Sequence, residues 1–170
     1  VHQFSLFDKV ECDNYNNISR LKLRQAKSII FSPGPGNPKN YPSTSEIYYQ
    51  YKGEKKIIGI CLGFQQILFC EGAKIVEQNK IYHGYQSRVK VINNSSIFEK
   101  NKIFKVGRYH SLKLKEPFKI KDFDITMRCL ESKVAMAFEN KKDKIYGFQF
   151  HPESFLTNNG NLLIKKILSS

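Results

Sequence analysis

Gly59-Ile60-Cys61-Leu62-Gly63 is the most informative segment of the chain. It joins an apolar run at 57–60, which predicts a β-strand, to a run at 64–69 that predicts a helix. The cysteine therefore stands on a tight strand-to-helix turn, where a nucleophile elbow carries serine and the flanking glycines permit a strained backbone. A helix N-terminus favours the thiolate there, and the N–H of Leu62 is directed at any oxyanion that forms. Both effects suit acyl transfer, and a buried structural cysteine between two incidental glycines is the alternative.

Strand-like and helix-like runs alternate in the first half of the chain. Strands are predicted at 10–12, 28–31 and 57–60, with helices at 18–26 and 45–51. This order is typical of strand-helix-strand units around a mostly parallel sheet. After Gly72 the β-like runs are closely spaced, which predicts antiparallel pairing; they are 74–77, 81–92, 103–108, 125–130, 134–139 and 145–150. A helix is predicted at 160–168, and we expect one α/β domain over residues 1–170.

The composition predicts a cytoplasmic protein. Its 170 residues, 41% of them hydrophobic, suffice for one domain with a core and a cleft. The four cysteines are scattered, which predicts neither a zinc site nor a disulfide scaffold and fits a reducing compartment. No apolar run approaches the roughly 20 residues of a membrane span, and the start of the chain lacks the layout of a secretion signal. We therefore expect no membrane partner.

The net charge of +13 raises the possibility of nucleic-acid binding, because lysines release counterions from a phosphate backbone. The lysines are spread along the chain, however, and short pairs such as Lys55-Lys56 and Lys165-Lys166 are typical of solvated faces or helix ends. We therefore expect no nucleic-acid partner, although a basic binding module remains an alternative.

A cysteine nucleophile needs a base, and His151 is the best candidate among four histidines. It follows an alternating strand, and Pro152 then ends the ladder, which leaves the imidazole at the carboxyl end of a strand. Glu153, two residues on, can orient the imidazole and stabilise its protonated form. His2 is predicted to be solvated near a chain end, while His83 and His110 are each open to a structural or a functional role.

The segment Ser32-Pro33-Gly34-Pro35-Gly36-Asn37-Pro38 follows the predicted strand at 28–31. Its prolines and glycines can neither continue the strand nor begin a helix, so it is predicted to be a rigid turn that exposes backbone groups. Such a loop can supply oxyanion donors, or can simply be a stiff connection.

Four ordered motifs resemble those of the class I (triad) glutamine amidotransferases: Ser32-Pro33-Gly34-Pro35-Gly36, Gly59 to Gln65, Tyr109-His110-Ser111-Leu112, and Phe148-Gln149-Phe150-His151-Pro152-Glu153-Ser154. The resemblance implies a flavodoxin-like α/β fold and a catalytic triad of Cys61, His151 and Glu153. It further implies oxyanion donors at Leu62, Gly34 and Gly36. Glutamine would contact a set of residues that comprises Gly34, Pro35, Gly36, Gln65, Ser111 and Leu112.

The last two motifs most resemble the small subunits (component II) of anthranilate synthase and aminodeoxychorismate synthase. This implies a chorismate-binding synthase subunit (component I) as partner, L-glutamine as substrate, and no metal or organic cofactor. Both pathways, tryptophan and para-aminobenzoate or folate synthesis, fit the motifs equally. An amidotransferase for another acceptor, such as a nucleotide, and a non-catalytic regulatory relative are the alternatives.

The chain departs from the family pattern at three points. Phe64 stands where many relatives carry histidine, with little expected effect on the chemistry. Tyr85 replaces a lysine that is common after His-Gly, a segment (His83-Gly84, then Ser87) that in such subunits lies toward the synthase. The sequence is also expected to lack the family's first strand, which would leave a sheet edge exposed.

Overall fold

Nine strands and five helices make up the fold that the computed structural model describes for residues 1–170. The helices are α1 (His2–Ser5), α2 (Arg20–Gln25), α3 (Pro42–Tyr51), α4 (Leu62–Cys70) and α5 (Gly160–Leu168). The strands are β1 (Ser28–Phe31), β2 (Lys56–Ile60), β3 (Ile75–Glu77), β4 (Tyr85–Val91), β5 (Ile103–Arg108), β6 (Leu112–Leu114), β7 (Asp124–Cys129), β8 (Ala135–Asn140) and β9 (Ile145–Phe148). A short 3-10 helix (Pro38–Asn40) precedes α3.

The main sheet has seven strands in the order β1-β2-β9-β8-β7-β4-β5, and β3 and β6 form a separate antiparallel pair. The strands β1, β2 and β9 run parallel, while β9-β8, β8-β7, β7-β4 and β4-β5 are antiparallel. The predicted α/β fold is therefore confirmed, with parallel strands at one side and an antiparallel region beyond them. β1 lies at one edge of the sheet and β5 at the other.

The core lies on both faces of the sheet. Along β2, Ile57 belongs to the cluster packed under α4, whereas Ile58 belongs to the cluster packed under α5, because successive side chains of a strand point to opposite faces. Leu163, Ile164 and Ile167 of α5 complete the second cluster; Phe64, Ile67 and Leu68 of α4 complete the first. Burial on both faces explains why β2 is apolar from Ile57 to Ile60 rather than alternating.

Most predicted elements are present within two to four residues of the expected bounds, but the strand predicted at 10–12 is wrong. Val10 packs against the core, yet this segment forms no strand. It is held instead by side chains: Asp13 accepts hydrogen bonds from the backbone N–H of Ser19, at 2.8 Å, and from Lys22 Nζ, at 2.6 Å. A β-like run becomes a strand only where another strand offers it a hydrogen-bonding edge.

None of the helices combines the length and the apolar character that a bilayer crossing requires.

Candidate active site

Cys61 stands between β2 and α4 with φ 53° and ψ −100°, a conformation that side chains other than glycine rarely adopt. The two flanking positions must be glycine, because neither has room for a Cβ atom. A Cβ at Gly59 would lie 2.5 Å from the carbonyl group of Gly63, and one at Gly63 would lie 2.1 Å from the backbone oxygen of Phe31. The strand, the turn and the helix therefore meet at van der Waals contact, and the predicted elbow is present.

The thiol of Cys61 is nearly enclosed. The residue is 6% exposed, and its Sγ lies 4.0 Å from the carbonyl oxygen of Tyr109. Its backbone N–H donates to the carbonyl oxygen of Phe148, at 2.8 Å, which continues the β2-β9 ladder up to the elbow. Because β2 and β9 are parallel and in register, their carboxyl ends lie side by side.

His151 follows β9 at the same end of the sheet. Its Nδ1 lies 2.7 Å from Glu153 Oε1, and its Nε2 is buried without a hydrogen-bond partner. Burial opposes protonation, but the hydrogen bonds and charges of Cys61 and Glu153 outweigh it and raise the pKa of His151 to about 9. The structure thus brings the predicted nucleophile, base and carboxylate together at the carboxyl ends of β2 and β9, and it favours the protonated form of His151.

Thr157 ties the backbone of His151 to β5. Its Oγ1 donates to the carbonyl oxygen of His151, at 2.5 Å, and accepts from the N–H of Gly107, at 2.9 Å. The N–H of His151 in turn donates to the carbonyl oxygen of Gly107, at 3.0 Å. Sequence reasoning missed Thr157, because a threonine six residues after the histidine has no meaning until the two segments are folded together.

The loop after β1 reaches the elbow. A Cβ at Gly34 would lie 2.9 Å from Leu62 Cδ2, so the loop passes against the first residue of α4. The carbonyl oxygen of Pro35 accepts a hydrogen bond from Tyr41 Oη, at 2.8 Å. Gly36 is exposed, with φ 79°. Leu62 and Gly34 are therefore neighbours, while Gly36 lies further along the exposed loop.

Apart from the loop after β1, the residues expected to bind glutamine lie on α4, just before β6 and at the start of β6. Gln65 is 3% exposed, and its Nε2 donates to Gln149 Oε1, at 3.0 Å, and to the carbonyl oxygen of Leu112, at 3.4 Å. Ser111 is exposed, and its carbonyl oxygen accepts from the N–H of Gln78 at 2.9 Å.

The other histidines lie outside this cluster or behind it. His2 is exposed on α1, and His83 is exposed with its ring 6.3 Å from that of Tyr109. His110 is buried, and burial and the charge of Arg108 lower its pKa to about 4. The Tyr109 ring packs edge-on against His151, with 4.9 Å between the ring centroids.

Phe64 and Tyr85, the two residues that depart from the family pattern, lie in different surroundings. Phe64 is fully buried against Phe138, with ring centroids 5.2 Å apart, so the aromatic side chain belongs to the core. Tyr85 is half exposed at the start of β4. No group of three or more histidine, cysteine, aspartate or glutamate side chains is arranged to hold a metal ion.

Comparison with known proteins gives a matching family and several named relatives. The model of the family "Glutamine amidotransferase class-I" matches residues 4–169. Anthranilate synthase component 2 of Lactococcus lactis is 39% identical over 146 residues, which cover 85% of this chain and 74% of that protein. The bifunctional protein TrpGD of Thermotoga maritima is 34% identical over 154 residues, which cover 89% of this chain and 26% of that protein.

A solved structure agrees at the level of the fold. It is a putative GMP synthase protein from Thermoplasma acidophilum, with a TM-score of 0.75 and 23% identity over 91% of this chain and 77% of that one. At this identity the likeness concerns the fold alone.

Proposed function

The chain belongs to the class I glutamine amidotransferase family, and from this premise we propose that it hydrolyses glutamine with a Cys61-His151-Glu153 triad and delivers the ammonia to a chorismate-aminating synthase subunit. One observation carries the proposal: a thiol on a strained elbow and a carboxylate at 2.7 Å act on the same imidazole, and together they raise its pKa. That arrangement is the nucleophile, base and orienting group of covalent acyl transfer.

The first half of the reaction uses the thiolate and the imidazolium. The Cys61 thiolate attacks the side-chain amide carbon of glutamine, and the carbonyl oxygen becomes an oxyanion. His151 then gives its proton to the amide nitrogen, the carbon–nitrogen bond breaks, and ammonia leaves a γ-glutamyl thioester. The raised pKa of His151, about 9, keeps this proton on the imidazole near neutral pH.

In the second half, His151 is neutral and takes a proton from a water that attacks the thioester. The tetrahedral intermediate collapses to glutamate and the Cys61 thiolate, which restores the ion pair. Glu153 accepts the hydrogen bond of the Nδ1 proton throughout, which leaves Nε2 to exchange protons with the reacting groups.

The oxyanion is assigned to the N–H groups of Leu62 and of the loop glycines Gly34 and Gly36. The contact between Gly34 and Leu62 supports a shared site for these donors, and Gly36 completes the loop. Loss of one donor costs on the order of 100-fold in rate or more. Glutamine is further assigned to Pro35, Gln65, Ser111 and Leu112.

The proposed partner is the synthase subunit that binds chorismate. Several relatives at 32–39% identity are named anthranilate synthase component 2, which favours anthranilate over aminodeoxychorismate as the product of the pair. The chemistry of the triad needs no metal or organic cofactor. We place the whole activity in a single domain over residues 1–170, and in the cytoplasm, where a catalytic thiol stays reduced.

The test is glutamate release from glutamine by wild-type and Cys61→Ala protein, alone and with an anthranilate-forming synthase subunit. Cys61→Ala should abolish glutamine-dependent product and leave the ammonia-dependent activity of the partner intact. Cys12→Ala, the same change at an exposed cysteine, is the control and should behave as wild type. Equal loss of both activities in Cys61→Ala, or glutamate release that persists in it, would refute the assignment.

A further inference from the structure

Arg108 is a fully buried cation without a carboxylate partner. The residue is 0% exposed, and no carboxylate oxygen lies within 4.0 Å of its guanidinium. The guanidinium lies over the ring of Tyr82, 3.4 Å from its centroid, and Nη1 reaches Cys129 Sγ at 3.5 Å and Ser132 Oγ at 3.3 Å. Burial of an unpaired charge costs free energy of folding, which indicates that Arg108 has a specific role.

The strongest directional contact of Arg108 is with His110. Arg108 Nε lies 3.0 Å from His110 Nε2, and since a guanidinium only donates, Nε2 must carry a lone pair. The proton of the neutral ring is then on Nδ1, which lies 2.8 Å from the carbonyl oxygen of Leu112, a group that only accepts. The two contacts together leave His110 one tautomer and one ring orientation, and its low pKa keeps the ring neutral.

The Leu112 carbonyl oxygen joins this pair to the glutamine site. It accepts from His110 Nδ1 and from Gln65 Nε2, and Gln65 lies one helical turn after the nucleophile, with its N–H on the carbonyl oxygen of Cys61 at 3.1 Å. Gln78 adds a brace from the segment after β3, since its Nε2 donates to the carbonyl oxygen of His110 at 2.5 Å. A continuous set of hydrogen bonds thus runs from Arg108 to α4.

We propose that Arg108 and His110 are positioning residues for glutamine binding: Arg108 selects the His110 tautomer that holds the Leu112 carbonyl against Gln65, and so shapes the Ser111-Leu112 wall of the site. Neither residue takes part in proton transfer. The inference rests on the proposed function, in which Gln65, Ser111 and Leu112 contact glutamine. It predicts that the pair controls the KM for glutamine far more than kcat.

The first test compares His110→Leu with His110→Asn, because the asparagine amide can still donate from the position of Nδ1. His110→Leu should raise the KM for glutamine about tenfold, the scale of one lost hydrogen bond and its consequences, with kcat changed less than about threefold. His110→Asn should stay within about threefold of wild type in both. The alkylation rate of Cys61 by a small thiol reagent should be unchanged in both variants.

The second test applies Arg→Met at two sites. Arg108→Met removes the donor that selects the tautomer and should raise the KM for glutamine about fivefold or more. Arg88→Met is the matched control: Arg88 is exposed and pairs with Glu131 at 2.9 Å, outside the set of bonds that leads to Leu112. It should leave the KM for glutamine unchanged.

The outcomes separate the two levels of the proposal. Absence of Cys61-dependent glutamate release by wild type with its partner would overturn the proposed function and this inference with it. With wild type active, an unchanged KM in folded His110→Leu, an equal KM rise in His110→Asn, or a fall in kcat alone would overturn only the positioning role. Failure of His110→Asn to fold would also overturn it, because the pair would then be structural.

Discussion

His151 carries a pKa far above the ordinary value for an imidazole, because Cys61 and Glu153 together outweigh its burial. Because the pKa is higher in the folded than in the unfolded state, the free energy of unfolding depends on pH. The imidazolium contributes stability in full below the unfolded-state pKa of about 6.5, and this contribution is lost as the pH rises through about 9. The protonated His151 thus contributes most to stability at acidic and neutral pH, and least at a pH well above 9.

Glu153→Gln should lower the pKa of His151 toward its ordinary value, since it removes a negative charge 2.7 Å from Nδ1. The titration of the His151 ring proton, followed by NMR, measures the shift directly. Glutamine-dependent activity should fall steeply but not vanish, because nucleophile and base remain. An unchanged His151 titration would contradict the assigned role of Glu153.

Thr157→Val should lower kcat about tenfold with little change in the KM for glutamine. The isosteric side chain leaves the carbonyl oxygen of His151 and the N–H of Gly107 without the hydroxyl that joins them, so the base loses its fixed position. Thr157→Ser keeps the hydroxyl and should restore most of the rate. Steady-state kinetics of the two variants test this role. Equal rates in the valine and serine variants would show that the Thr157 hydroxyl does not hold His151 in position.

Among the elements, α5 depends on a contact from β2. Lys56 Nζ donates to the carbonyl oxygens of Ile167 and Leu168, at 3.0 and 2.7 Å, in the last turn of the helix, where carbonyl groups lack the usual N–H partner four residues on. A cation at this end also interacts favourably with the helix dipole. The Lys56 side chain therefore links β2 to the carboxyl end of α5, the helix that covers one face of the sheet.

Lys56→Met should reduce the free energy of unfolding by about 1 kcal/mol, from the lost cap and charge. Urea denaturation measures the change. Lys165→Met is the matched control, because Lys165 is exposed on α5 and no hydrogen bond of its side chain is present. A loss in the Lys165 variant equal to that in the Lys56 variant would show that general charge, rather than the cap, is responsible.

Sequence patterns predicted the elements well where the signal is local. The bounds of β5 and α5 were predicted to the residue, and the elbow was predicted from five residues. The strand predicted at 10–12 failed because strand formation needs a partner edge, which a three-residue apolar pattern does not reveal. The position of β9 between β2 and β8 was likewise beyond local patterns, as it pairs with strands on both sides.

At the scale of the whole molecule, two sheets meet at the active site. The segment from Arg108 to Leu112 leaves the end of β5 in the main sheet and enters β6, which pairs with β3. The site therefore lies where the parallel strands end and where this crossing passes over them. Its shape depends on both sheets keeping their relative position.

The net charge of +13 is a property of the whole surface, and we expect it to produce only weak, non-specific binding to polyanions. For a duplex DNA of about 20 base pairs, the Kd at about 0.15 M salt should be on the order of 1 μM or weaker, and affinity should fall as salt rises. Fluorescence anisotropy with two unrelated sequences measures both quantities. A nanomolar Kd for one of the sequences would contradict a purely electrostatic origin.

Residue types at short, regular spacings were enough to predict the elbow, the His-Pro-Glu turn and the family. The side chains that hold the site in place could be recognised only in the folded chain. Thr157 and Gly107 are 50 positions apart, and Cys61 and Tyr109 are 48 apart. Such contacts come from the packing of distant segments, and side chains that satisfy buried polar groups across that distance leave no periodicity in the chain.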